Sequence, residues 1–242
     1  MQGRFFLSMQ KLFISIAIVL FLACCGNASL PAKPMTKAEQ NQALLREAET
    51  HIQNGDIVLR CGKDITSYKI REMSERDKTY SHAGIAVLKP NGIFIYHLTP
   101  PELDEPKSDT AIRLEPLEKF ADPENNFELG IGRFPLTREQ ADQLVNHLDS
   151  LRKAGVSFDY LFDLKTRNRM YCSEMIDESL RFVTHDSISL KRNAFRDSNL
   201  VKKVSGYLKA SQKVVQSRLY IPIENIYLHP AFKLIGRYKF EN

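Results

Sequence analysis

The sequence predicts an α+β domain in which an antiparallel sheet packs against helices, and three observations carry that prediction. Thr36-x-x-Glu39 and Thr137-x-x-Gln140 are capping boxes, each followed by an amphipathic stretch. Two short runs rich in β-branched and aromatic residues flank Pro90-Asn91-Gly92, the pattern of a hairpin. The composition is that of an ordinary globular chain, with 242 residues, 43% hydrophobic, 26% charged, 11 Gly and 11 Pro, which excludes fibrous, repeat and disordered classes.

Taken in order, Lys11 precedes the run Leu12 to Cys25 (L-F-I-S-I-A-I-V-L-F-L-A-C-C), and Gly26, Asn27 and Ala28 follow it. A spanning helix needs ~20 apolar residues, so this shorter run reads as a signal peptide over residues 1–25, with Met9 as an alternative start. Gly26-x-Ala28 suits ordinary cleavage, whereas Phe21-Leu22-Ala23-Cys24 resembles a lipoprotein signal that would attach the chain to a membrane through a lipidated Cys24 or Cys25. The expected location is the periplasm or cell envelope.

Residues 26–54 are read as a linker and a helix running from Thr36 to Gln53, with Gly55 as its stop. From Gly55 to residue 242 a single domain is expected. Its strands are Asp56–Arg60, Ala83–Leu88, Ile93–Leu98, Ala111–Leu114, Phe127–Phe134 and Leu234–Tyr238, with an exposed loop over Pro100–Asp109. Helices are expected from Thr137 to about Gly155, with Ala141, Leu144, Val145, Leu148 and Leu151 on one face, and from Cys172 or Ser173 through Val183. After Thr184 only the last strand is readable.

The formal charge of +5 includes Arg4 and Lys11 before the apolar run; without them 32 basic residues face 29 acidic ones, spread along the chain. Nucleic acid is therefore not an expected partner. The four cysteines are Cys24, Cys25, Cys61 and Cys172, too few for a disulfide framework, although a Cys61–Cys172 bridge is an alternative to two free thiols.

The chemistry is expected at Cys172, His82 and His97. Cys172 stands where a loop enters a helix, and unpaired N–H groups at a helix amino terminus stabilise a thiolate. His82 is the candidate base that takes the thiol proton, and His97, on the other arm of the hairpin, the group that orients it. If the hairpin turns on Asn91-Gly92, Ala86 faces His97 and His82 lies four residues farther, about 13 Å at ~3.3 Å per residue, so contact between the two would need a register slip, bulge or strong twist. His51, His147, His185 and His229 are read as surface or structural. A metal site built from His82, His97 and Cys172 lacks the short ligand spacing of zinc sites, and no cofactor is expected.

Gly55-Asp56-Ile57-Val58, Ser81-His82-Ala83-Gly84-Ile85-Ala86-Val87, Tyr96 and Tyr171-Cys172-Ser173-Glu174-Met175-Ile176 resemble the circularly permuted papain-like cysteine hydrolases of the NlpC superfamily, YaeF/YiiX group. The resemblance runs from about Gly55 to Tyr238 and rests mainly on S-H-x-G and Y-C-S-E. It implies a permuted papain-like fold with Cys172 as nucleophile, His82 as base and His97 as third member. YiiX-like proteins commonly place an acid at that third position, and a second histidine is closer to the lecithin retinol acyltransferase-like branch. Tyr171 is a candidate oxyanion donor or wall, Glu174 a helix-start residue, and Gly62–Tyr80 a candidate cleft lip.

Two functions follow. The first is an exported amidase or peptidase acting through a Cys172 acyl-enzyme, with cell-wall peptide as a conceivable substrate. The alternative is a thiol-dependent acyltransferase or lipid esterase taking a lipid or acyl substrate.

Overall fold

The computed structural model describes residues 33–100, 110–166 and 168–241. The expected signal segment with Cys24 and Cys25, and nearly all of the loop expected over Pro100–Asp109, lie outside the described residues. Thr36–Asn242 forms one compact unit.

In chain order the elements that frame the sheet are α1 (Lys37–His51), β1 (Ile57–Gly62), α2 (Ile65–Glu72), β2 (His82–Lys89), β3 (Gly92–Leu98), β4 (Ile112–Pro116), α3 (Leu117–Phe120) and β5 (Asn126–Arg133). There follow α4 (Arg138–Lys153), β6 (Ser157–Phe158), β7 (Arg169–Met170), α5 (Cys172–Thr184), β8 (Asn193–Ala194), α6 (Ser198–Leu208), α7 (Gln212–Gln216), β9 (Leu219–Tyr220), α8 (Glu224–Tyr227) and β10 (Lys233–Lys239). The six longer strands make one antiparallel sheet in the order β10-β5-β1-β2-β3-β4.

Because side chains alternate across a strand, the sheet has two apolar faces. Ile57, Leu59, Ala83, Ile85, Tyr96 and Leu98 pack with Leu144 and Leu148 of α4, Met175, Ile176 and Leu180 of α5, and Val201 and Val204 of α6. Val58, Ala86, Ile95, Leu129 and Ile131 pack on the other side with Leu45 and Ala48 of α1, and Leu117 and Phe120 of α3.

Both capping boxes form as expected: the Thr36 and Thr137 hydroxyls accept from the N–H of Glu39 and Gln140, whose side chains reach back to the cap N–H groups. Helix α1, placed before the domain in the sequence reading, lays Leu45 and Ala48 onto the sheet, with Ile52 at its C-cap. Its C-terminal end is tied down by Arg133, which donates to both carboxylate oxygens of buried Asp56 at 2.6 and 2.7 Å and to the His51 carbonyl at 3.1 Å. The polar stretch after Thr184 is not structureless. Asp197 caps α6, whose Leu200, Val201 and Val204 are buried while Lys202 and Lys203 dilute the apolar pattern.

The hairpin register differs from the expectation in the sequence. Lys89 pairs with Gly92, so the turn is Pro90-Asn91, with Gly92 at φ +133° just beyond it. Proline fixes φ near −65° and so takes the first central turn position rather than a place in the ladder. His97 therefore faces Gly84, and Ala86 faces Ile95. His82 is two residues from the position opposite His97, about 7 Å along the strand.

Candidate active site

The nucleophile candidate opens α5. Tyr171 is the extended residue before the helix and makes no side-chain cap, so the first-turn N–H groups depend on other partners. The Cys172 sulfur faces the N–H groups of Ala83, Ser173 and Cys172 itself, which puts it against the chain beside His82. Burial raises the thiol to about 11, and those N–H groups together with the Arg60 charge only partly offset it. The easily ionised thiol expected from the helix terminus is thus reversed, because the site is dry. No hydrogen bond joins Cys172 to the His82 ring in this resting arrangement; the thiol's partner from that segment is the Ala83 backbone.

The two histidines meet directly. His82 Nε2 lies 3.0 Å from His97 Nδ1, with the rings edge to face. Gly84 explains how. It stands opposite His97 on the face that carries His82, and a Cβ there would come within 2.4 Å of Ile95 Cγ2, 2.7 Å of the Tyr96 carbonyl and 3.0 Å of His97 Cβ. Ser81 secures the entry to β2: its hydroxyl accepts from Gly62 N–H at 3.0 Å and donates to the Arg60 carbonyl at 3.2 Å. The S-H-x-G segment is therefore an anchor at Ser81, one ring of the pair at His82 and a clearance for that pair at Gly84.

Behind the pair, Phe120 of α3 forms an aromatic floor, 5.7 Å from the His82 ring and 5.1 Å from that of His97. Arg60, opposite His82 on β1, lies over the same ring at 4.8 Å and donates to the Phe120 carbonyl at 3.0 Å. Burial first, then the charge of Arg60 and the neighbouring His97, hold His82 well below the usual histidine value.

His97 leans in turn on Glu115 of β4, whose Oε2 lies 3.2 Å from His97 Nε2, in ion-pair range though off the axis of a linear hydrogen bond. Burial opposes the Glu115 charge, but His97 and Lys119, at 2.8 Å, outweigh it and hold the carboxyl down at about 2. An ionised Glu115 accepts only, which assigns the proton of His97 to Nε2 and leaves its Nδ1 to accept from the His82 Nε2–H. His82 Nδ1 is then the one unprotonated ring nitrogen left over. The row Glu115, His97, His82 thus ends in an imidazole that burial keeps neutral, on the residue before Ala83.

A family model described as permuted papain-like amidase enzyme, YaeF/YiiX, C92 family, matches residues 51–220. The chain belongs to the permuted papain-like amidases. A crystal structure of the metalloprotein yiiX from Escherichia coli O157:H7 superposes with a TM-score of 0.61 at 16% identity, covering 78% of this chain and 99% of that one. No curated protein sequence matches the chain. The expected fold, mixed helices on an antiparallel sheet with a YiiX-like permuted papain-like architecture, therefore stands.

For a permuted papain-like amidase, the row has one member the sequence reading did not single out. Glu115 was passed over because it falls just past the strand expected over Ala111–Leu114; only the observed pairing, which runs on through Glu115 with Arg113 opposite His97 and Glu115 opposite Ile95, turns those charges toward the histidines. Arg60, at the end of a readable strand, was missed because only its pairing opposite His82 shows its role. An acid is thus present, one step behind the second histidine. Tyr171, a candidate oxyanion donor or wall, is engaged with the C-terminal segment. Its hydroxyl accepts the Ile221 N–H at 2.7 Å, while Ser173 Oγ donates to the Ile221 carbonyl at 2.6 Å, so the pair clamps the C-terminal segment onto the start of α5. Cys61 and Cys172 are both free thiols, which removes the disulfide alternative. The Gly62–Tyr80 stretch contains α2, none of whose residues is buried.

Proposed function

We propose that the protein is an exported cysteine amidase that cleaves an amide or peptide bond through a Cys172 acyl-enzyme. The observation that carries this reading is the 3.0 Å contact of His82 with His97, placed one residue from the N–H that faces the Cys172 sulfur. Export rests on the Lys11 to Cys25 segment, and a lipidated Cys24 would hold the enzyme at a membrane surface.

In the proposed cycle His82 Nδ1 takes the thiol proton as sulfur bonds to the substrate carbonyl carbon, giving a tetrahedral oxyanion. The N–H groups at the start of α5 are the available donors for that charge. Collapse breaks the C–N bond, and the His82 proton leaves on the amine. Water, deprotonated by His82, then attacks the thioester, releasing the acid and returning the thiol. With a raised thiol and a lowered imidazole, the resting pair is neutral, so the proton moves with attack rather than before it. The solved relative is called a metalloprotein. Here the imidazoles turn their facing nitrogens on each other, and among the described residues no three His, Cys, Asp or Glu side chains converge as a ligand set, so the donors do not fit a metal and no step uses one.

The test is incubation of the mature protein with muropeptides and, separately, with diacyl phospholipid, alongside Cys172→Ala. Release of an amine from muropeptide, lost in the variant, is the expected result. Fatty-acid release or transfer instead would favour the lipid-acting alternative, to which the second histidine is the pointer.

A further inference from the structure

Of the 34 basic and 29 acidic residues in the chain, eight and one fall between Ser187 and Ile223, which leaves 26 against 28 everywhere else. The excess positive charge, spread along the chain in the sequence reading, thus belongs to one stretch. Its one acid, Asp197, is spent on capping α6, where it accepts the Leu200 N–H at 2.7 Å. Seven of the eight basic side chains are exposed, and Arg218 is half-buried. Nothing in the cycle at Cys172 uses them.

The fold sets part of this charge beside α2. On α6 the core side carries Leu200, Val201 and Val204. At 3.6 residues per turn the opposite side carries Lys202, Lys203, Gly206 and Lys209, all exposed. Nothing stands within 4 Å of where a Gly206 Cβ would lie, so that side opens to solvent. Lys203 reaches Glu72 of α2 at 2.7 Å, and Lys69 of α2 lies 5.3 Å over the Tyr207 ring. With 72 meeting 203 and 69 meeting 207, the two helices lie side by side and antiparallel. Glu72 also accepts from Lys78 at 3.0 Å, so its charge is answered twice. Among the described residues Lys202 and Lys209 join no ion pair.

The same face carries apolar side chains that the core does not take. Ile65, Tyr68, Lys69 and Glu72 share one side of α2 at i, i+3, i+4 and i+7. Ile70 packs against the core, while Ile65 and Tyr68 are 65% and 48% exposed. A basic face alone would suit any polyanion. An isoleucine and a tyrosine standing out among lysines gain little from a hydrated polyanion, but both gain from a headgroup layer, where the aliphatic chain leaves water and the phenol keeps its hydroxyl wet.

We propose that the face shared by α2 and α6 is a docking surface for an anionic phospholipid bilayer, with Lys69, Lys202 and Lys209 at the lipid phosphates and Ile65 and Tyr68 set into the headgroup layer. The inference rests neither on export nor on what Cys172 attacks.

The test is co-sedimentation of the full chain with vesicles of phosphatidylcholine alone and of phosphatidylcholine with about one-third phosphatidylglycerol. The quantity read is the gain in partition on adding phosphatidylglycerol, to which the apolar Leu12–Cys25 segment contributes equally in every variant. A basic side chain near an anionic surface is worth about fivefold in partition, so Lys202→Gln/Lys209→Gln should lower the gain at least about tenfold. Lys89→Gln/Lys153→Gln removes the same charge from the β2–β3 turn and the end of α4, and should lower it less than about threefold. Ile65→Ser should weaken vesicle binding several-fold yet leave retention on heparin, a soluble polyanion, unchanged. About 0.5 M salt should abolish the gain. All these positions are exposed, and unchanged thermal melting of each variant checks the fold. No gain with phosphatidylglycerol, equal losses in the two double variants, or an Ile65→Ser chain that binds vesicles like the parent would each overturn the proposal, the last by marking a general polyanion site.

Discussion

A thiol at a helix amino terminus normally loses its proton readily, yet Cys172 is raised to about 11 because burial outweighs the N–H groups and the Arg60 charge that face it. His82 moves the opposite way, well below its usual value. Between these two limits both groups are neutral, so kcat/KM should be flat from roughly pH 7 to 9 and fall only at lower pH, where His82 takes up a proton. In the substrate-free protein, iodoacetamide alkylation of Cys172, read by mass spectrometry, should rise with a midpoint well above the ~8.5 of a free thiol. A midpoint below pH 7 that vanishes in His82→Ala would mean a preformed thiolate–imidazolium pair and would sink the neutral-pair mechanism. Among the side chains, Cys172→Ala should abolish turnover while thermal melting persists. His82→Ala should cost nearly as much, on the order of 10³-fold or more in kcat, because base and nucleophile act together. His97→Ala should cost less. Glu115→Gln should lower kcat by about tenfold and also change the ¹⁵N signature of the His97 and His82 tautomers, an effect that loss of packing alone would not produce.

At the scale of single elements, β2 and α5 each show one sequence signal with a physical cause. Gly84 is the clearance that lets His82 lean toward His97 across the strand pair, since a Cβ there would strike Ile95, the Tyr96 carbonyl and His97. Gly84→Ala should therefore reduce turnover by more than the ~1–3 kcal/mol overpacking cost predicts, measurable as a kcat loss exceeding the change in urea unfolding; a variant of normal activity would show that the ring contact is dispensable. The S-H-x-G and Y-C-S-E segments were legible because a site needs particular residue types there. The register was not, because Pro90 competed with Asn91-Gly92 for the turn, and Glu115 was not, because it falls just past the expected strand and only the observed pairing turns it toward a histidine. Helix α6 escaped because three buried aliphatics sit among lysines. In α5, burial first and then Asp159 raise Glu174 to about 8. The folded state thus holds this proton more tightly than the unfolded chain, and the resulting destabilisation grows as pH climbs from the ordinary carboxylate range through about 8. Glu174→Gln should consequently unfold at higher urea than the parent above pH 8, by more than about 1 kcal/mol, with the difference shrinking toward pH 5. A constant difference across that range would show that ionisation is not the cause.

Across the whole molecule, the segments that carry the site are joined by the C-terminal stretch as well as by their direct packing on each other. Ile221 is gripped from both sides by Tyr171 and Ser173 at the start of α5. Three residues on, the fully buried Glu224 carboxylate accepts the N–H groups of Glu75, Arg76 and Asp77 at 3.0, 2.7 and 2.7 Å, and Tyr220 and Tyr227 donate to the Met73 and Asp77 carbonyls at 2.9 Å each. The stretch 220–227 thus holds the approach to β2, where His82 lies, in fixed relation to the helix that begins with Cys172. The family match ends at residue 220 and begins at 51. A chain limited to 51–220 would lose this bracket, strand β10 from the edge of the sheet beside β5, and the α1 side chains Leu45 and Ala48 that cover Val58 and Ile131. Removing Glu224 alone takes the acceptor from three part-buried backbone N–H groups, hydrogen bonds to a charged group worth about 1.5–3 kcal/mol each at most. The expected outcome is that residues 36–242 melt cooperatively and retain the turnover of the longer chain, that Glu224→Ala melts several degrees lower with reduced kcat, and that 51–220 shows no cooperative transition by circular dichroism. Cooperative folding and full turnover of 51–220 would show instead that the matched segment is self-sufficient and that the bracket positions nothing.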